Sequence, residues 1–535
     1  MSKNLGFLSD LPNDDFLSRN TSGPFIQIAT ETPKDEPVMP VIPDELRDKH
    51  VHILGKTGYG KTTLLAHQAL RDIHRRKGGV CIIDPKGGVG GFAEIVSRYI
   101  PEDRIEDCVW LDVENPIPLD VMSCPPKKES RVVADLVYIL TQGKLDPSHA
   151  PDIASNLEYL LHTLIDANKH PKMPENKRCT FMDVYRFFEE GDRRTEILSY
   201  VRDRRYQTPW EPGNFPDKTA RGRIRTRISP WVNNLTLCTI LGEPVPKLNI
   251  EELIENKKII IVSVPDEDPA SSLYGSLIVS KIQHAAFSKH RSSLLEHQRI
   301  PFFLYIDEFE YFRASASFLK MLNMARSFKL CLTLANLRLS ELDAEVRSAL
   351  QIVSSLILLR IASSDKAAFA DEIGTSDPGE IIRQRERRAY REWSHTKSER
   401  ARTRWLMAFE EAQDHQDAIV TIEDAVKLGR YKAIFKIGDS SPVIAPTPDP
   451  PPRQPTQTQR EKIARIKENT KRFGPTDANY AHILSIRSEG DEACNFPQVR
   501  HDEENGIDYD TIEPQSKKGK GKEVHKVDRS KTKRD

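Results

Sequence analysis

One stretch constrains the fold more than any other: Gly55-Lys56-Thr57-Gly58-Tyr59-Gly60-Lys61-Thr62, which fits G-x-x-x-x-G-K-[ST] without a mismatch. It follows an apolar run, Val51-His52-Ile53-Leu54, and precedes a helix-like segment from Thr63 to Arg76. Strand, glycine-rich loop and helix in that order build an anion cradle. The glycines let backbone N–H groups turn inward, and the helix N-terminus adds its dipole. In such a loop the lysine reaches the β- and γ-phosphates and the following hydroxyl ligates Mg²⁺. Gly55, Lys56, Thr57, Gly58, Tyr59, Gly60, Lys61, Thr62 and Thr63 are thus the expected ATP-binding set, with Lys61 also catalytic and Thr62 also a metal ligand.

The remaining composition narrows the class. A chain of 535 residues has room for about three domains. Its 79 basic residues balance 79 acidic ones, so any basic footprint for nucleic acid must be local. No run approaches the ~18 consecutive apolar residues of a membrane span. The stretch Met1–Asp15 has no apolar h-region and does not read as a signal peptide. Seven cysteines form no C-x-x-C pair, which predicts reduced structural thiols and a cytoplasmic location.

Read in order, residues 1–45 form a polar, Pro-punctuated arm with one strand candidate at Phe25–Ala29. Residues 46–125 hold the first half of an α/β core. There Val80-Cys81-Ile82-Ile83 reads as a fully buried strand ending in Asp84-Pro85-Lys86-Gly87-Gly88. Asp84 and Lys86 either face the ligand crevice at the strand end or, for Asp84, simply start a turn. Residues 126–245 show helical periodicity (Val132, Val133, Leu136, Val137, Leu140; Leu157, Leu160, Leu161, Leu164) and predict a helical insertion. Its arginines at 221, 223, 225 and 227 spread over more than one helix face, as on a solvated helix.

The core resumes over 246–378. Phe302-Phe303-Leu304-Tyr305-Ile306 is an apolar strand that ends in Asp307-Glu308. Asp307 would hold the magnesium shell and Glu308 would orient or deprotonate the attacking water. A helix is expected from about Ala314 to Phe328, then strands at Leu330–Ala335 and Ile352–Leu359. These runs give at least six strands joined by crossovers, a mostly parallel sheet. Residues 379–418 form a second insertion. From Glu380 to Trp405 it carries nine Arg/Lys against four Glu, interleaved with Tyr390, Trp393 and Trp405. Such a segment either tracks a nucleic acid or packs as a hairpin whose arginines pair with its glutamates. Residues 419–440 close the sheet with an edge strand, and 441–535 read as a Pro-rich linker and disordered Lys-rich tail, with a short helix near Gln459–Arg472.

Four segments in this order resemble the FtsK/HerA superfamily of P-loop motors, and within it the TraD/TraG-type coupling ATPases of conjugative type IV secretion. They are His52-Ile53-Leu54 with GKTGYGKTTLL, Val80–Gly87, Phe302–Phe309 and Leu332-Thr333-Leu334-Ala335-Asn336. The resemblance implies a RecA-like P-loop NTPase core, ATP and Mg²⁺ as ligands, and a homo-hexameric ring that moves DNA. It also implies relaxase or type IV secretion components as partners. By its spacing, Arg326 resembles the family's trans-acting arginine finger. Two departures stand out. Leu337 occupies the place of the usual γ-phosphate-sensing Gln, leaving Asn336 or Arg338 to substitute. The membrane helices usual in the family are also missing, so contact with the inner membrane would need a partner. A HerA-like motor in repair or phage defence, and a slowly hydrolysing recruitment module, are the alternative expectations.

Overall fold

Apolar runs of four to seven residues recur along the chain, and in the computed structural model those at 51–54, 79–84, 108–112, 259–263, 302–306, 330–336 and 355–358 become strands buried on both faces. The structure describes residues 39–123, 128–140, 151–189, 191–265, 269–312, 321–322, 324–374, 378–413 and 420–476. The strand candidate Phe25–Ala29 and the Lys-rich end lie outside the described residues.

The strands are β1 (Val51–Leu54), β2 (Gly79–Asp84), β3 (Cys108–Asp112), β4 (Ile259–Ser263), β5 (Phe302–Ile306), β6 (Leu330–Asn336), β7 (Ser355–Leu358), β8 (Lys432–Ile437) and β9 (Val443–Pro446). They form one sheet in the order β3-β4-β2-β5-β6-β1-β7-β8-β9. Every pairing from β3 to β7 is parallel, while β8 and β9 run antiparallel. Parallel pairing puts the carboxyl ends of β1, β2, β5 and β6 on one edge, where an open sheet binds its ligands. This is the expected mostly parallel α/β sheet, with more strands than the apolar runs alone reveal.

Alternate residues of each strand enter opposite cores. Ile53, Val80 and Ile82 face helices α1 (Lys61–Arg75) and α2 (Phe92–Arg98), whereas Leu54, Cys81 and Ile83 face a larger core on the other side. That second core is continuous with a helical layer between β3 and β4, including α3 (Glu129–Leu140), α4 (Pro151–Asn168) and α5 (Lys218–Val232). On α5, Arg221, Arg223, Arg225 and Arg227 stand outside the buried positions Ile224 and Ile228.

Several expectations need correction. The strand at 431–437 is not the edge: β9 pairs beyond it, Ala433 opposite Ala445. Pro446 is tolerated there because an edge strand needs hydrogen bonds on one side only. In the region after it the expected helix near Gln459–Arg472 is present, and it packs on the sheet where a free linker was expected. This helix, α6 (Gln457–Thr470), opens on a capping box of Thr456 and Gln459 and lies against the opposite edge of the sheet. There Thr470 Oγ1 accepts from Trp110 N at 2.8 Å, satisfying a donor that edge strand β3 would otherwise expose. The connecting segment is fixed by the buried Arg98, which donates to Pro452 O and Arg453 O. Of the expected helix at Ala314–Phe328, the described residues Met321, Leu322 and Met324 are helical, and its end, Ala325–Phe328, tightens into a 3-10 turn. The final parallel strand is Ser355–Leu358, shorter than the apolar run containing it, because Ile352–Ser354 leave the preceding helix as a turn.

The second insertion folds as an antiparallel helix pair, Pro378–Thr396 and Glu399–Gln413. Its aromatics pack on one another: the Trp393 and Trp405 rings stack with centroids 4.9 Å apart, and Tyr390 lies 5.6 Å from Trp405. Trp405 Nε1 donates to Glu386 at 2.8 Å and Arg404 pairs with Glu392. The rings are therefore engaged within the hairpin.

Candidate functional site

The loop after β1 adopts the conformation its glycines permit. Gly58 and Gly60 have φ of 82° and 101°, and α1 begins directly at Lys61. Among the described residues, none of the backbone N–H groups from Thr57 to Thr63 donates a hydrogen bond, so the loop presents a row of unused donors. Lys56 N is used, donating to Arg360 O at 2.8 Å, and Gly55 N donates to Asn336 O. Tyr59 is held from the side: Arg360 donates to its hydroxyl at 2.9 Å and lies over its ring.

Strand β5 delivers the carboxylates. Asp307 N donates to Ile83 O, so the strand continues just far enough to place Asp307 beside the loop. Thr62 Oγ1 donates to Asp307 Oδ2 at 2.7 Å. Lys61 Nζ is buried, has no hydrogen-bond partner and stands 3.6 Å from both Asp307 Oδ1 and Glu308 Oε1. A buried ammonium without a hydrogen-bond partner is costly, and a phosphate oxygen is the group such a loop is built to supply. Unused amides, an orphaned lysine and a threonine–aspartate pair together fit a nucleoside triphosphate with a divalent cation. Asp307 and Thr62 are the residues that could hold the cation.

Glu308 is buried and has a backbone φ of 44°, a left-handed conformation that costs a non-glycine residue about 1 kcal/mol or more. Its Oε1 also forms an ion pair with Lys86 Nζ. Burial works against the charge on Lys86, but Glu308, Asp307 and Asp84 together outweigh it and raise its pKa. Asp84 itself organises its own loop. It accepts from Lys86 N and Gly87 N at 2.9 and 3.1 Å, and from Ala93 N at 2.9 Å in the first turn of α2. Gly91 allows this closure: a Cβ there would lie 2.5 Å from Gly87 O and 2.6 Å from Asp84 Oδ2.

Two further carboxyl and amide groups complete the surroundings. Burial pushes the Glu310 carboxyl up to about 7, with Lys61 opposing and the charges of Glu308 and Glu341 reinforcing. Sequence reading passed over Glu310 because only the fold reveals its burial beside Lys61. Asn336 ends β6 fully buried, its Oδ1 held by His52 Nε2 at 2.8 Å and its Nδ2 donating to Arg338 O at 2.9 Å. Its amide is thus turned into the core. Arg338 is exposed; burial raises the Asp365 carboxyl, and the charges of Arg338 and Lys56 oppose that rise.

Arg326 is the one expected site residue that the chain does not bring to its own loop. It is exposed in the turn leading into β6, at the amino end of that strand. Seven residues of strand, about 20 Å, separate this end from the nucleotide edge.

Fold and site together define a P-loop nucleotide-binding protein with a RecA-like core. No protein-family model matches the chain, and neither does any curated protein. Among solved structures it is similar to the plasmid coupling protein TrwB in complex with ADP and Mg²⁺ (TM-score 0.53, 16% identity, covering 81% of this chain and 93% of that one). It is similar also to TrwB with the non-hydrolysable GTP analogue GDPNP (TM-score 0.52, 16% identity, 80% and 93%). The TrwB complex with the ATP analogue ADPNP gives the same picture (TM-score 0.52, 16% identity, 81% and 93%). The chain therefore shares its fold with the plasmid coupling protein TrwB, a P-loop fold of the class that the sequence motifs anticipate. No described helix is long and apolar enough to cross a membrane.

Proposed function

We propose that this protein is an ATP-driven DNA translocase resembling the coupling ATPase of conjugative type IV secretion, working as a homo-hexameric ring with relaxase or secretion components as partners. The observation that carries the reading is the convergence of Lys61, Thr62, Asp307 and Glu308 at one sheet edge, on a fold shared with TrwB over most of both chains.

The chain's residues then divide the work. The amides of Thr57–Thr63 and the Lys61 ammonium bind the phosphates and spread their charge. Thr62 and Asp307 would hold Mg²⁺, which would supply positive charge against the phosphates. Glu308 orients a water in line with the γ-phosphate and accepts its proton. Arg326 of a neighbouring subunit supplies the positive charge that stabilises the transition state, in keeping with its exposure and its distance from its own loop. A cytoplasmic protein of this kind would reach the inner membrane through a partner.

A second reading, an ATP-binding recruitment module with slow turnover, draws on Leu337 and on the inward-turned Asn336 amide, which together leave no neutral polar side chain at the usual sensor position. Steady-state ATP turnover with and without single- and double-stranded DNA separates the two. A motor shows DNA-stimulated turnover that is lost in Lys61→Ala and Glu308→Gln, whereas a module binds ATP with turnover indifferent to DNA.

A further inference from the structure

Lys86 is a group that the phosphate-loop chemistry does not use, yet its amine occupies the carboxylate that chemistry needs. It leaves β2 two residues after Asp84, and β2 is the direct neighbour of β5, so Lys86 and Glu308 face one another across adjacent strand ends. The backbone at Lys86 is fixed by Asp84, which accepts from Lys86 N and Gly87 N. The side chain is not fixed in the same way. Its relative exposure is 46%, against 3% for Glu308, and it is a flexible four-carbon stem with a rotatable ammonium. Beyond it, a Cβ at Gly88 or Gly90 would meet nothing within 4 Å, so the loop has open space on its outer side.

Glu308 Oε1 thus faces two ammonium groups, Lys86 in an ion pair and Lys61 at 3.6 Å. A carboxylate oxygen held this way is not free to accept a proton from water. A γ-phosphate arriving at the loop carries more negative charge than one carboxylate and offers several acceptor oxygens. Lys61 is built into the loop and turns to it directly, while Lys86 can reach it only by letting go of Glu308. We infer that Lys86 is a positioning residue: it holds Glu308 when no γ-phosphate is bound, and it releases Glu308 by transferring to that phosphate. This rests on the reading of Glu308 as the water-orienting carboxylate.

Equilibrium binding of a non-hydrolysable ATP analogue and of ADP, each with Mg²⁺, tests this without relying on turnover. The set comprises the wild type, Lys86→Met, Glu308→Gln, the double variant and Lys86→Arg. Glu308→Gln should bind the analogue about fivefold more tightly, because Lys86 is no longer held back. Lys86→Met should bind it about tenfold more weakly with ADP affinity unchanged, and Lys86→Arg should recover part of that loss. In the Lys86→Met background the gain from Glu308→Gln should vanish. Additive effects in the double variant, or equal losses for the analogue and ADP, would overturn the transfer while leaving the nucleotide site standing. Failure of the wild type to bind either nucleotide would remove the site itself, and the transfer with it.

Discussion

Thr62 and Asp307, 245 positions apart in sequence, meet through a 2.7 Å hydrogen bond from hydroxyl to carboxylate. The two groups proposed to share a magnesium shell are therefore already within reach of one another before any ion arrives. Replacing the hydroxyl removes a metal ligand while leaving the buried carboxylate in place. Thr62→Ala should raise the Mg²⁺ concentration for half-maximal turnover by about tenfold to a hundredfold, with little change in thermal stability. A magnesium titration of ATPase activity checks this.

The helix at Asp44–Arg47 is tied to the core through an ionic cluster. Arg47 donates to Asp72 at 2.6 Å and to Tyr305 OH at 2.7 Å, and Tyr305 OH donates to Asp72, all three buried. Removing one member leaves the opposite charge without compensation. Asp72→Ala should lower unfolding stability by about 3–5 kcal/mol, and Tyr305→Phe by only about 1 kcal/mol. Denaturant titration of the two variants distinguishes them.

Burial lowers the pKa of His52 to about 4, its bond to Asn336 opposing, and that of His50 to about 4, with the Leu322 carbonyl and Asp48 opposing. Between a pH of about 6.5 and about 4 the unfolded chain takes up a proton at each position and the folded chain does not. Stability contributed by keeping them neutral is thus complete above about 6.5 and is lost as pH falls toward about 4, by up to roughly 3 kcal/mol per residue. Urea midpoints measured from pH 7.5 down to 4.5 should fall in this window, and His52→Gln should show a shallower slope than the wild type.

Arg326 gives the subunit arrangement a direct test. Arg326→Ala should reduce turnover by about 10³-fold while nucleotide binding persists. A mixture of Arg326→Ala with Lys61→Ala should regain activity, because a Lys61→Ala subunit can lend its arginine to an intact neighbouring loop. Activity in the mixture no higher than in either variant alone would argue for a finger acting within one chain or for none.

Much of the fold is legible where a run of apolar residues ends in residues with a chemical task. Strands β1, β2, β5 and β6 are of this kind, and the phosphate loop, Asp307 and Glu308 are read from local pattern alone. The missed features depend on partners distant in sequence. Strand β9, with Pro446 in it, has too few residues and too little alternation to stand out, and only pairing with β8 makes it a strand. The helix after it is legible near Gln459–Arg472, but its docking beside Trp110, through the Thr470 hydroxyl, is not. The pairing of Lys86 with Glu308, the burial of Glu310 and the inward turn of Asn336 arise from strand order.

Movement along DNA is the central claim, and it is tested most directly by ATP-dependent displacement. The wild-type protein is given either a biotinylated single strand blocked by streptavidin or a duplex carrying a third strand. The account predicts that ATP drives release of the block from at least one of these tracks. It also predicts no release with a non-hydrolysable analogue or with Glu308→Gln. ATP hydrolysis that proceeds while both blocks stay in place would contradict it.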